Sequence, residues 1–476
     1  MIFRHFWGIF WTIVSFGGSI LVHELGHYLS ARRRGLWIPR FSIGFGPKLF
    51  SWKKEGTEFR ISLFPLGGYV SLPQMTSLEA TDGEWELPVH PLRPLQFSDR
   101  VAIAAMGPAM NVLLSFVLAC VLWILGQSVE EGNQTSTVGF VPAIYRRGGI
   151  EYENSAVART SLRGGDRIVS VDGHPLRSFS ELPQVIALGH RHGKEDQPTS
   201  LLRISRNGEI FTVEVPVLLL PEINSKNFLR VLPIFPVRRS FVGEVLEKSP
   251  AGKCGLEQGD ELIAYNGEKI FAPQMLQELV GRGTASGVLT VVRSGKFFDV
   301  SIQPQFIFPS SAPELHRPAI GIVFERRTEL VHPNPFALIG QQISMTLRTL
   351  ESLFRRDSEV GIGNMMGMPG IARLLHRLSM DDFRELLGFL IGLNVGLAAL
   401  NLLPIPALDG GHILFAIWEK VTGKRLPERP TQWLQAICLL GLLLLMFYVS
   451  TLDILRWRGE FLRSPFPKST LEIPTF

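Results

Sequence analysis

The 476-residue sequence predicts a multi-pass α-helical membrane protein of four spans with a sizeable extramembrane α+β insert, on three observations. Charged residues make up only 19% of the chain and the mean hydropathy is +0.19, against about a quarter charged in soluble domains. Four stretches are long and apolar enough to span, since a bilayer needs about 20 such residues. A sequence repeat lies between the second and third of them. The low charge excludes disorder over most of the chain. A net charge of +5 gives no ground for nucleic-acid binding. Cys120, Cys254 and Cys438 lie too far apart to suggest a disulfide scaffold or a cysteine zinc site.

The first stretch, residues 6–22, is uncharged and runs straight into His23-Glu24-Leu25-Gly26-His27. No small-x-small site follows it, which argues against a cleaved signal peptide. Residues 101–129 and 433–452 are uncharged, and 386–418 hold only Asp409 and His412 as ionisable groups. Lys and Arg crowd two short connections: Arg32 to Arg60 after the first span, and Lys420 to Arg429 between the third and fourth. Such loops stay cytoplasmic, which puts the long insert on the other side. The tail, with Arg456, Arg458, Arg463 and Lys468, runs against that rule.

Within the first loop, Phe41, Ile43 and Phe45 alternate with small or polar residues, and Phe59, Ile61 and Leu63 do so again after a Lys-Glu-Gly turn. That pattern is a β-hairpin with one apolar face, which we read as membrane-associated. Its edge would be available to pair with an unwound substrate segment.

In the insert, Leu162-Arg163-Gly164-Gly165-Asp166 and the strand up to Gly173 return as Leu256-Glu257-Gln258-Gly259-Asp260 up to Gly267, at a constant offset. In each copy a Gly-Asp turn opens an apolar strand that closes on Asp-Gly or Asn-Gly. The pattern resembles the PDZ domain, which binds extended peptide at a sheet edge. After the repeat, Phe336, Ile339, Ile343, Leu347, Leu350 and Phe354 recur at helical spacing. This amphipathic helix would either pack on the second repeat or lie on the membrane surface. The glycines of residues 361–370 read as a loop. The divisions expected are 1–129 with two spans and the hairpin, 130–225 and 228–312 as the PDZ-like copies, 313–382, and 383–476 with the last two spans and the tail.

His-Glu-x-x-His on a helix places two imidazoles on one face, where both reach one tetrahedral Zn²⁺. Glu24 sits on the adjacent face, close enough to act as general base. Ionisable groups at the end of an apolar span are costly unless they function. A catalytic zinc site wants a third protein ligand and one open position. Asp409 is the only carboxylate in the third apolar stretch, behind Pro404 and Pro406, which interrupt a helix. Broken helix at membrane depth belongs inside protein or beside a cavity. His412 is the rival ligand, ranked second.

Together the zinc motif, the Asn401-x-x-Pro404-x-x-x-x-Asp409-Gly410-Gly411 run and the PDZ-like repeat resemble the site-2 protease family of intramembrane metalloproteases, in its tandem-PDZ form. Gly107-Pro108-Ala109-Met110-Asn111 matches that family's Gly-Pro-x-x-Asn pattern, and 45–49 and 65–70 match its cytoplasmic β segment. The resemblance implies a Zn²⁺ cofactor held by His23, His27 and Asp409, Glu24 as base, and Asn401 and Pro404 as substrate-positioning residues. It also implies a bacterial inner-membrane enzyme with periplasmic PDZ domains and its active site near the cytoplasmic face. Its substrates would be single-span membrane proteins, such as an anti-sigma factor already trimmed by another protease, or remnant signal peptides. Peptide termini at the PDZ copies and the lipid bilayer are further partners; nucleic acid is not. Met366-Gly367-Met368-Pro369-Gly370-Ile371-Ala372 departs from the family's Gly-Pro-Val-Gly-Ile-Ala segment. Two other functions compete: a non-catalytic PDZ scaffold with a structural metal, and a zinc protease of soluble substrates anchored by its helices. Structural zinc prefers four protein ligands, and a soluble substrate leaves the motif's place inside an apolar span unexplained.

Overall fold

A computed structural model describes residues 2–75, 95–147, 150–193, 196–221, 228–306, 318–355, 358, 360–424 and 426–463. The chain forms two units, one drawn from residues within 1–127, 331–351 and 365–457, the other mainly from 128–330.

In the first unit the apolar stretches become helices because uninterrupted Leu, Ile, Val and Phe runs offer no competing backbone partner. Helix α1 covers Ile2–Arg33 and leads into strands β1 (Arg40–Lys54) and β2 (Thr57–Val70), then α2 (Phe97–Leu125). α2 stops at Gly126, whose φ is +73°, and Gln127–Glu130 is a strand. The apolar stretch therefore outruns the helix, because a glycine with positive φ ends it and turns the chain into the strand.

The hairpin turns at Glu55 and Gly56, both with positive φ, so that Lys54 faces Thr57 and Trp52 faces Phe59. Gly44 and Gly46 (φ +86° each) bend β1, and residues 41–43 pair both with 59–61 and with 68–70. Phe41 and Phe59 lock onto Tyr28 of α1, with ring centroids 5.6 Å apart throughout. Beyond the bend the apolar side chains find no protein cover: Leu49 is 64% exposed and Phe50 60%.

Helix α3 (Pro335–Phe354) is amphipathic as its spacing predicts, but its partners are α2 and α5, which neither expected placement included. Ile339 packs among Ala119, Leu122, Leu387, Ile391 and Val395, and Phe336 meets Phe116 at 4.9 Å. Phe336, Ile343, Leu347 and Phe354 stay exposed. The glycine-rich loop is also shorter than expected, because α4 (Met368–Asp381) begins inside it.

The third apolar stretch divides into α5 (Phe383–Asn401) and α6 (Asp409–Thr422), with Pro404 and Pro406 in the break. Last comes α7 (Glu428–Arg463). Among the described residues, α1, α2, α5 and α7 are long and apolar enough to cross a membrane. Buried hydroxyls and amides join them: Ser30 to the Ala102 carbonyl at 3.1 Å, Ser115 to the Ile391 carbonyl at 3.1 Å, and Asn394 to Ser19 at 3.0 Å. Such links hold helices where lipid offers no hydrophobic drive between them.

In the second unit both copies of the repeat build the same sheet. Strands β3 (Arg167–Val171), β4 (His174–Pro175), β5 (Thr199–Arg206) and β6 (Glu209–Pro216) run in the order β6-β5-β3-β4. Strands β7 (Glu261–Tyr265), β8 (Glu268–Lys269), β9 (Gly287–Arg293) and β10 (Lys296–Ile302) run β8-β7-β9-β10, the same order seen from the other edge. Matching positions carry matching roles. Asp166 takes both ends of the Arg206 fork at 2.6 and 2.8 Å, and Asp260 does the same with Arg293. Asp172 and Asn266, at φ +48° and +50°, each accept a backbone N–H from the neighbouring strand at 2.8 Å.

Candidate metal centre

Two chain segments converge on one point in the first unit. α1 presents His23 and His27 one turn apart, with their Nε2 atoms 3.1 Å from each other. Asp409 opens α6, and its Oδ2 lies 3.2 Å from His23 Nε2 and its Oδ1 3.4 Å from His27 Nε2. A tetrahedral Zn²⁺ with bonds of about 2.0–2.2 Å sets its ligand atoms roughly 3.3–3.6 Å apart. Here the two imidazole nitrogens lie 3.1 Å apart, and each has a different oxygen of Asp409 within 3.4 Å. Asp409 Oδ2 is buried and makes no aligned hydrogen bond among the described residues. A buried carboxylate oxygen left that way is costly, and a divalent cation would satisfy it. The residues fit the ion. His23, His27 and Asp409 are also the one such group found among the described residues, and His412 does not join it.

Local structure explains why these side chains meet. His27 is steered by its other nitrogen, which donates to the Ile103 carbonyl of α2 at 2.8 Å and leaves Nε2 free to ligate. α2 can approach this closely because Gly107 faces the pair: a Cβ there would overlap His27 Nε2 and lie 2.9 Å from His23 Cε1. On the opposite side, side chains at Gly410 and Gly411 would overlap the carbonyls of Leu402, Leu403 and Ile405 in the break. The two glycines let α6 start tight against the turn, so Asp409 projects from a helix N-terminus. Glu24 is half-buried and lies against the end of β2, where a Cβ on Gly68 would come within 2.8 Å of Glu24 Cγ. The hairpin thus sits beside the carboxylate.

Asn401 ends α5, half-buried, and Pro404 lies exposed in the turn that follows. Neither makes a hydrogen bond to the three converging side chains among the described residues. The supporting role of Gly107, and that of Asn111, whose side-chain nitrogen is 3.3 Å from His23 Nδ1, were not drawn from the sequence. The only signal for them was the Gly-Pro-x-x-Asn spacing.

The profile of peptidase family M50 matches residues 11–446. A protein of Xylella fastidiosa strain 9a5c, provisionally named a zinc metalloprotease, is 28% identical over 93% of this chain and 98% of its own length. The regulator of sigma E protease of Haemophilus influenzae is 27% identical over 91% of this chain and 94% of its own. A solved PDZ domain of the SdrC-like protein of Listeria monocytogenes covers 18% of this chain and 85% of its own at 17% identity, with a TM-score of 0.16, too slight to carry an argument.

Proposed function

The chain belongs to peptidase family M50 and is a zinc metalloprotease, and on that premise we propose that it hydrolyses peptide bonds inside the transmembrane segments of single-span membrane proteins. The observation that carries this reading is the meeting of His23 and His27, from within the apolar helix α1, with Asp409 at the start of α6. Bound there by those three side chains, Zn²⁺ would supply Lewis acidity and an acidified water at neutral pH. Glu24 takes up the proton released by the attacking water and returns it to the leaving amine, a service worth about 10²–10⁴ in rate. Asn401 offers N–H donors to the developing oxyanion, worth roughly 3–4 kcal/mol in other hydrolases. Pro404 keeps the break open, so that substrate backbone has room beside the site.

A helical substrate hides its carbonyls in its own hydrogen bonds, so cleavage requires unwinding. The hairpin beside Glu24 is the element placed to receive the extended strand. The two repeat sheets are read as PDZ domains in tandem that dock peptide termini or exclude bulky substrates. The name of the Haemophilus relative supports membrane-bound regulators of transcription, such as a pre-trimmed anti-sigma factor, as substrates; remnant signal peptides fit equally. The Lys- and Arg-rich loops favour a bacterial inner-membrane orientation with the repeats periplasmic and the metal centre near the cytoplasmic face.

The test compares the purified protein with Glu24→Gln on a model single-span substrate in detergent. Wild type is expected to cut while the variant, with zinc still bound, loses about 10²–10⁴ of the rate. Equal cutting by both, or no cutting by zinc-loaded wild type, overturns the mechanism.

A further inference from the structure

His27 and His23 are oriented by different means. The Nδ1 of His27 meets a backbone carbonyl, an acceptor in every protonation state. For His23 the group at that position is the Asn111 side chain, on α2, only 1% exposed. As placed, the amide nitrogen faces Nδ1 at 3.3 Å, and Asn111 Oδ1 has no hydrogen-bond partner among the described residues. A nitrogen donor there requires Nδ1 to accept, so the ring proton sits on Nε2, facing Asp409 at 3.2 Å. That tautomer leaves no lone pair on Nε2, so it cannot ligate a metal through that nitrogen. The oxygen and nitrogen of an amide are nearly interchangeable in shape, and their placement follows the hydrogen-bond network. A half-turn of the Asn111 amide satisfies the orphaned oxygen and moves the ring proton to Nδ1, which frees the Nε2 lone pair.

We infer that Asn111 is a positioning residue for the metal centre: its side-chain carbonyl accepts the Nδ1 proton of His23 and holds the imidazole with Nε2 toward His27 and Asp409. The inference rests on the proposed ligand set. An amide suits the position because its carbonyl accepts the Nδ1 proton and it carries no charge into a buried site. A hydrocarbon cannot accept, and a carboxylate accepts but brings a charge.

Zinc affinity of the full-length protein in detergent, measured by competition with a chromophoric chelator, tests this without relying on activity. Asn111→Leu is expected to weaken binding about 10–100-fold, the usual cost of losing a ligand's orienting partner. Asn111→Asp, which still accepts, is expected to stay within a few-fold of wild type. The visible spectrum of the Co²⁺-loaded protein should change for Asn111→Leu and not for Asn111→Asp. Wild-type affinity in Asn111→Leu, or equal weakening in both variants, overturns the inference. Melting of the metal-free proteins serves as the control for packing, with Asn111→Ala replacing Asn111→Leu if the latter does not fold. His23→Ala separates the two levels of claim. If it binds zinc normally, the ligand set itself is wrong; if it loses zinc while Asn111→Leu does not, only the role of Asn111 fails.

Discussion

At Gly107 the metal centre depends on the absence of a side chain. Gly107→Ala would drive a methyl into His27 Nε2, a ligand atom rather than a movable chain end. It should weaken zinc binding at least about tenfold, as other disturbances of ligand orientation do, and a chelator titration measures it. The Gly-Pro-x-x-Asn spacing marks this position without saying that a side chain is excluded there. The convergence of His23, His27 and Asp409 could be expected because few residue types bind zinc and the helix pitch puts the two histidines on one face. Gly107 and Asn111 matter only because α2 passes close by, and that is a tertiary fact. A second residue-scale result concerns Asp260, whose burial alone would raise its pKa. The Arg293 fork outweighs burial and, with the Glu257 N–H, holds the carboxyl below its ordinary value. A lowered folded pKa means stability present above about pH 4 and lost as pH falls through the folded value. Arg293→Ala should therefore destabilise the second repeat by about 2 kcal/mol near neutrality, since the arginine is partly exposed. The gap should close in acid, as followed by near-ultraviolet circular dichroism of the extramembrane signal.

Among the elements, α4 shows how a helix end can be capped from afar. Its first turn has no side-chain cap of its own; instead the N–H groups of Gly367 and Gly370 donate to Asp453 Oδ2 of α7 at 2.8 and 3.0 Å. Arg456 steadies that carboxylate and reaches the Met365 carbonyl at 3.1 Å. A side chain on Gly370 would lie 2.6 Å from Asp453 Oδ2, which accounts for glycine in the segment that departs from the family pattern. Asp453→Ala should cost about 1–2 kcal/mol, the range for a lost N-cap, and raise amide hydrogen exchange in the first turn of α4. The loop expected over residues 361–370 holds up to Gly367; the helix begins at Met368 because its cap comes from Asp453 on α7, which leaves no local signal for its start. Apolar runs and turn glycines made the helices, the hairpin and the repeat legible. Where a run stops at Gly126 depends on a single residue whose effect the run's length conceals, whereas the break at Pro404 and Pro406 was legible because proline cannot continue a helix. The partners of α3 were equally hidden, because periodicity identifies a face without naming what it meets.

For the whole molecule, the basic loops predict one arrangement across the membrane. With the native cysteines replaced, a single cysteine at Lys296 should react with an impermeant maleimide added to intact cells, and one at Lys424 only after lysis. The reverse pattern would invert the proposed orientation. One last consequence follows from the distance in sequence between the proposed ligands His23 and Asp409. At about 5–20 residues per second, a ribosome takes roughly twenty to eighty seconds to travel from the first to the second. Throughout that interval the nascent chain holds two histidines and a carboxylate base but no closed site. A half-made copy is thus unarmed beside every other membrane protein being inserted, and competence arrives only when the far end of the chain has folded back.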